Sequence, residues 1–223
     1  MAHGIKNLIN ALDGGLYFLK SGFRKGDIDR VQKGIETLGR NIERIRRFSK
    51  SFLNYTRAET LQTRLCYPQD IIQEVIELFS ASLVEKKIEL NFKSDKKIAP
   101  AYFDYEKIHE AITNLISNAI DSFSEIDERK KCINVTLYEE EGTIYIEVGD
   151  NGAGIDEEQK SRIFNKFFTT KGLEGTGLGL LMTKKIVQQH NGNISLSSKK
   201  GEGSVFKIWF LRSRLPKPVS EDG

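Results

Sequence analysis

The sequence predicts an α+β chain in two parts, a helical hairpin followed by an α/β sandwich of helices on a mixed sheet. Three observations carry that expectation. Apolar residues recur at alternating steps of four and three through the first part of the chain, the pattern of helices packing at a shallow angle. After about residue 60 the period drops to two, in paired runs flanking glycine turns, as strand hairpins require. Two longer stretches with helical spacing are interleaved with those runs. With 223 residues there is room for two modest domains, each with its own core.

The first helix carries Ile5, Ile9, Leu12, Leu16, Leu19 and Phe23 as its apolar seam. Glycines at 4, 14 and 15 weaken it by about 1 kcal/mol each relative to Ala. Residues 21–27 supply Gly22 and Gly26 for a joint and Asp27 to cap the next helix. That second helix continues the seam with Val31, Ile35, Leu38, Ile42, Ile45, Phe48 and Phe52. Two helices bury little alone, so two copies are expected to pair into a four-helix bundle, making a homodimer. Beyond the joint to the sandwich, 70–85 reads as a helix, 88–92 as a strand and 104–123 as a long helix. Runs 132–137 and 143–148 form one hairpin around residues 139–142, and 194–198 and 205–211 a second around 201–203. The expected domains are 1–62 for the hairpin and 63–213 for the sandwich, with a disordered, proline-bearing tail at 214–223.

Composition excludes several classes. The 34 basic and 31 acidic residues nearly cancel, leaving a net charge of +3, so no nucleic acid or other polyanion is expected as a partner. Cys66 and Cys132 lie in apolar stretches without metal-ligand spacing, which fits reduced thiols and a cytoplasmic location. No run of 18 apolar residues and no signal-peptide pattern occurs, so these residues are not expected to contact a membrane.

Chemistry concentrates in three ordered blocks. Gly175-Thr176-Gly177-Leu178-Gly179-Leu180 sets glycines at every second position ahead of an apolar helix, letting backbone amides approach a polyphosphate. The spacing fits neither a Rossmann fingerprint nor a P-loop. Upstream lie Asp150-Asn151-Gly152-Ala153-Gly154-Ile155 and, before that, Asn114-Leu115-Ile116-Ser117-Asn118-Ala119. Asparagines at i and i+4 inside an otherwise apolar helix call for a partner.

These blocks, with residues 163–171 resembling a phenylalanine box, closely resemble the ATP-binding domain shared by sensor histidine kinases and the related GHKL ATPases. The resemblance covers roughly residues 65 to 211 and implies Mg-ATP as ligand. It gives Asn118 the role of magnesium ligand and Asn114 that of holding the phosphates. Asp150 would accept from the adenine amino group, Gly152 and Gly154 would let the base lie against the backbone, and Ser204 matches a position near adenine. Residues 156–174 would form a lid anchored by Phe167 and Phe168, with Lys171 reaching the terminal phosphates and Gly175, Gly177 and Gly179 closing over them. Leu178 would begin the next helix.

In the same family a histidine heads the bundle hairpin, followed by an acidic residue and then Asn or Thr. His3-Gly4-Ile5-Lys6-Asn7 resembles that box with Gly4 in place of the acid. His3 lies two residues before Ile5, about 200° around a helix and so facing water. A neutral imidazole remains a fair nucleophile near neutral pH. The hairpin normally continues upstream of the histidine, so the sequence reads as a catalytic core from which sensor or receiver portions are missing. The hydrolysing relatives carry a glutamate four residues before the magnesium asparagine. Here that position is Asn114, which cannot act as a general base. The expected function is therefore a histidine kinase that phosphorylates His3 and passes the phosphoryl group to an aspartate of a response regulator receiver domain. The alternative is a nucleotide-binding phosphatase or scaffold, in which Asn7 orients a water.

Overall fold

The computed structural model describes residues 2–56, 60–94, 98–124, 129–164 and 177–218, with the side chains of 2–8, 44, 47, 48, 50, 51 and 54–56 outside that description. The chain divides into two compact units, one built on the N-terminal hairpin and one on residues 59–164 and 179–223.

In the first unit, α1 (Ala2–Lys25) and α2 (Ile28–Thr56) form the expected hairpin. Gly26 takes the left-handed conformation that ends α1, with φ at 66°. Asp27 Oδ1 accepts from the Arg30 amide at 3.0 Å, the N-cap bond of α2. Arg30 Nε in turn donates to Ser21 Oγ at 2.7 Å, locking the joint from inside.

The seam differs from the expected one. Its closest points are glycines: a Cβ on Gly15 would meet the Leu38 side chain at 2.9 Å, and one on Gly34 the Leu19 backbone nitrogen at 2.6 Å. Gly22 belongs to α1 rather than to the turn, and its Cβ would meet the Val31 nitrogen at 2.8 Å. Gly15 and Gly22 thus exchange helix propensity for a close approach of the two backbones. Buried Asn41 bridges the helices, its Nδ2 donating to Thr37 O at 2.8 Å and to Ala11 O at 3.4 Å.

As a result the 4-3 repeat splits into two rows spaced by seven. Leu12, Leu19, Val31, Leu38, Ile45 and Phe52 are half-buried. Ile9, Leu16, Phe23, Ile35 and Ile42 remain exposed, between 40% and 76% of their surface.

The second unit is built of β1 (Arg64–Cys66), α3 (Pro68–Glu85), β2 (Ile88–Ser94), β3 (Ala101–Phe103), α4 (Tyr105–Asp121), β4 (Lys131–Glu140), β5 (Thr143–Asp150), α5 (Glu157–Lys160), α6 (Gly179–Gln189), β6 (Asn193–Lys199) and β7 (Gly203–Leu211). The main sheet runs β2-β4-β5-β7-β6. Only its β2–β4 pair is parallel, with β3 and α4 in the long crossover that parallel pairing needs. The strands β1 and β3 pair separately, Leu65 opposite Tyr102.

One sheet face presents Ile133, Val135, Leu137, Ile144, Ile146, Val148, Phe206, Ile208 and Phe210, all buried. Facing them are Ile71, Ile72 and Val75 of α3, Ile108, Ile112, Leu115 and Ile116 of α4, and Ile186 and Val187 of α6. Each such side chain contributes roughly 1.5–3 kcal/mol by leaving water. The opposite face is open, with Tyr138 and Tyr145 stacked at 4.8 Å and Lys207 over both rings.

Arg212 closes the unit. Its guanidinium takes both carboxylate oxygens of Glu139, at 2.9 and 2.7 Å, and donates to the carbonyls of Pro100 and Ala99. A 3-10 turn over Arg212–Arg214 follows, and Leu215 is buried. Residues 219–223 of the expected tail lie outside the described residues.

Candidate nucleotide-binding site

The site begins with α4. Asp104 caps it, Oδ1 accepting from the Lys107 amide at 3.1 Å. The buried stripe from Ile108 to Ile120 turns one side of the helix to the sheet. This leaves Asn114 and Asn118, half-buried and four residues apart, on a polar flank. Ser122, the C-cap, extends that spacing by one more step. From 114 to 122 the row runs about 12 Å at the rise of an α-helix.

Each end of the row is tied to another element. At one end Asn114 Nδ2 donates to the carbonyl of Gly179, the first residue of α6, at 3.4 Å. A Cβ on Gly179 would lie only 3.5 Å from Asn114 Oδ1. The amide-rich start of an 11-residue helix therefore stands beside the asparagine, where free N–H groups and the helix dipole favour an anion. Thr183 Oγ1 shares the Gly179 carbonyl at 3.1 Å. At the other end Ser122 Oγ donates to Asp150 Oδ1 at 2.9 Å.

Asp150 ends β5 and points inward, as the alternation from Val148 requires. Gly152 donates its amide to the same Oδ1 at 2.8 Å. Burial, the dominant influence, pushes the carboxyl pKa up, while the Gly152, Ser122 and Ser204 hydrogen bonds and the charge of Arg129 pull it down. The carboxylate is thus held by neutral donors in a desolvated place, suited to accept an amino N–H.

The model of the histidine kinase-, DNA gyrase B-, and HSP90-like ATPase family matches residues 103–214, about half the chain. The chain belongs to that family. Along 94% of its length it is 29% identical to the sensor histidine kinase ZraS of Escherichia coli, of which it covers 43%. It therefore spans less than half the length of the curated relatives it matches. The solved catalytic domain of histidine kinase ThkA shares 29% identity, covers 68% of this chain and 97% of its own, and superposes with a TM-score of 0.61. ThkA in complex with response regulator protein TrrA matches 96% of this chain and 60% of that one, at 26% identity and a TM-score of 0.77.

Within this ATPase fold the glycines of the Asp150 block serve the protein's own packing. A Cβ on Gly152 would fall 1.9 Å from Ser122 Oγ, and one on Gly154, at φ 67°, 2.1 Å from the Lys199 carbonyl. This packing alone requires glycine at both positions, whatever lies against the backbone there. Arg129 clasps the same loop, donating to the carbonyls of Gly152 and Gly201. Asn151 pins it from behind, accepting from the Cys132 amide and donating to the Lys130 carbonyl, both at 2.8 Å.

Ser204 stands opposite Asp150 in the β5–β7 register. It is buried, with its Oγ 2.9 Å from Ser198 Oγ. Gly177 has φ 65°, and Leu178 precedes α6 directly rather than starting it. His3 and Asn7 lie in α1, their side chains outside the description. Phe167, Phe168, Lys171, Gly175 and Thr176 lie outside the described residues.

Ser122, Asn151 and Arg129 were not among the residues singled out from sequence. For Ser122 the i+4 continuation from Asn118 was an available signal. A hollow of about 200 Å³ on the open sheet face shares Asp150 and Asn151 but touches neither α4 nor α6, so it is distinct from this cradle.

Proposed function

We propose that the chain is the catalytic core of a histidine protein kinase that uses Mg-ATP to phosphorylate His3. The observation that supports it is the polar row Asn114–Asn118–Ser122, running from the start of α6 to the Asp150 carboxylate. It offers anion-favouring donors at one end and an acceptor for an exocyclic amine at the other. The row's length of about 12 Å suits an extended nucleotide triphosphate.

In this reading Asp150 accepts from the adenine amino group, Asn114 and the α6 N-terminus hold phosphate oxygens, and Ser204 lies near the base. Lys171 reaches the terminal phosphate, with Gly175, Thr176, Gly177 and Leu178 beside it. Asn118 offers an amide oxygen to magnesium, whose charge would offset that of the phosphates. His3 attacks the γ-phosphorus in line, with positioning and charge neutralisation supplying most of the rate. Asn114, which cannot deprotonate water, favours transfer to a side chain over hydrolysis.

The exposed rows Ile9–Leu16–Phe23 and Ile35–Ile42 support a homodimeric four-helix bundle. A response regulator aspartate is the expected acceptor from His3, as the relatives' names and the ThkA–TrrA complex suggest. Gly4, standing where the family has an acid, favours a second reading in which the chain mainly dephosphorylates its regulator or scaffolds it through Asn7. A domain order of hairpin to about 62 and ATPase unit to about 213 completes the proposal.

Incubation with γ-labelled ATP tests the kinase reading. Acid-labile, alkali-stable label on the wild type and none on His3→Gln is the expected result. Label that persists in His3→Gln would show that another residue is the acceptor.

A further inference from the structure

The tie between Asn114 and the start of α6 has a counterpart at the other ends of the same two helices. There His190, immediately past α6, is 1% exposed. Its Nδ1 lies 2.8 Å from the Ile186 carbonyl, and its Nε2 accepts from the Asp104 backbone amide at 3.0 Å. A carbonyl only accepts and an amide N–H only donates, so the ring must be neutral with its proton on Nδ1. Phe103 and Phe210 pack around the ring, with centroids 5.8 and 6.1 Å away.

Asp104 is also the N-cap of α4, and its Oδ2 takes the Gln62 amide at 2.8 Å. One short polar chain thus joins the end of α6, the start of α4 and the strand-entry segment at Gln62. The two helices run antiparallel between their ties. From Gly179 to His190 is about 16 Å and from Asn114 back to Asp104 about 15 Å at helical rise. These near-equal spans make two rungs of one frame. The rung in the cradle is a 3.4 Å amide contact; the other, at 3.0 Å, is shorter and joins two buried residues.

We propose that neutral His190 is a positioning residue for the ATP site, its Nε2 holding the N-terminus of α4 in register with α6 and so setting Asn114 and Asn118 against the α6 N-terminus. The inference rests on the ATP-site reading above. A second proton would sit on Nε2 and confront the Asp104 N–H, so the rung opens when the ring becomes charged. Around the ring stand the Ile186 carbonyl of α6, Phe103 of β3, Phe210 of β7 and Asp104 at the start of α4. Asp104 is the ionisable group among them. Burial lowers the His190 pKa from its ordinary value of 6.5, outweighing the Ile186 carbonyl and the Asp104 charge, which pull it up. The rung is therefore intact at neutral pH and is lost only on the acid side of that value.

Two variants separate positioning from bulk stability. His190→Gln can present an amide oxygen to the Asp104 N–H but cannot titrate, whereas His190→Ala leaves that donor buried and unpaired. ATP affinity is measured by calorimetry between about pH 5.5 and pH 8, with folding followed by circular dichroism. At the alkaline end we expect His190→Gln to bind within about threefold of wild type, and folded His190→Ala to bind about tenfold or more weakly, the loss of roughly 1.4 kcal/mol. On acidification wild-type affinity should fall relative to that of His190→Gln, because ATP and Asp150 titrate alike in both. Parallel pH profiles for the two proteins would overturn the proposal, as would wild-type affinity in a folded His190→Ala. If alanine does not fold, the Gln comparison alone decides. Absence of ATP binding by the wild type at any pH would instead sink the reading of the site beneath it.

Discussion

Ser122 Oγ donates to Asp150 Oδ1 at 2.9 Å, tying the cap of α4 to the end of β5. The bond favours the ionised carboxylate and works against the burial that raises the pKa of Asp150. Ser122→Ala should therefore push that pKa further up and weaken ATP binding at neutral pH by about fivefold, the value of one hydrogen bond near 1 kcal/mol. The deficit should widen as pH falls. A calorimetric series showing a constant or absent deficit would dissociate Ser122 from the site.

Asp150→Asn tests the same carboxylate from the stability side. The folded-state pKa is raised above the ordinary 3.8, so the folded protein holds this proton more tightly than the unfolded chain does. Its stabilising contribution is full below that value and is lost as pH rises through the raised folded value. At neutral pH the buried charge costs stability, and Asp150→Asn should raise the thermal midpoint of the nucleotide-free protein while abolishing adenine preference. A lowered midpoint would contradict this.

Glycine substitutions should sort by what a Cβ would meet. Gly203→Ala places it 2.0 Å from the Asp150 carbonyl at φ 116°, which should cost roughly 3 kcal/mol or more. Gly39 in α2 has nothing within 4 Å, so Gly39→Ala should stabilise the hairpin by about 0.5–1 kcal/mol. Urea midpoints for the two variants, moving in opposite directions, would check this.

The hairpin supplies a further contrast. Ile35 and Ile42 are more than half exposed, so Ile35→Glu with Ile42→Glu should yield a helical monomer in light scattering. Leu38 packs on Gly15 inside the hairpin, so Leu38→Glu should instead lose helicity. A wild type that is already monomeric would remove the bundle.

Gly4→Glu restores the acid that the kinase family places after its histidine. A positioned base contributes about 10²- to 10⁴-fold, and an orienting carboxylate less. Faster labelling of His3 is the expected outcome in rapid-quench experiments. Label that appears only in Gly4→Glu would favour the phosphatase or scaffold reading.

Much of this architecture was legible because it is written in period. The two hairpin helices, the paired strands 131–150 and 193–211, and α4 all declare themselves by apolar spacing. The pair β1 and β3 did not, since three residues each are too few for alternation to register. Nor did the division of one 4-3 stripe into an inward and an outward row, because Gly15 and Gly34, read as helix weakeners or not at all, decide which row meets the other helix. At the site, Asn114, Asn118 and Asp150 stand out as polar residues in apolar or glycine-rich settings. Ser122, Arg129 and His190 act across separations of 23 to 86 residues. Ser122 carries only its i+4 spacing from Asn118 as a local mark, and nothing local distinguishes Arg129 or His190 from ordinary surface or core residues.

The strand order also has a temporal meaning. β7 follows β6 in the chain yet lies between it and β5, so both neighbours wait for the segment Gly203–Leu211. On the ribosome β5 would emerge with one edge unpaired, and β6 would have no partner strand at all. Asp150 would lack Ser204 across from it. A nascent chain halted before Gly203 should therefore be protease-sensitive and unable to retain nucleotide, while one released beyond Leu215 should gain both properties together. Competence in this protein should arrive in a single late event, when β7 enters between β5 and β6.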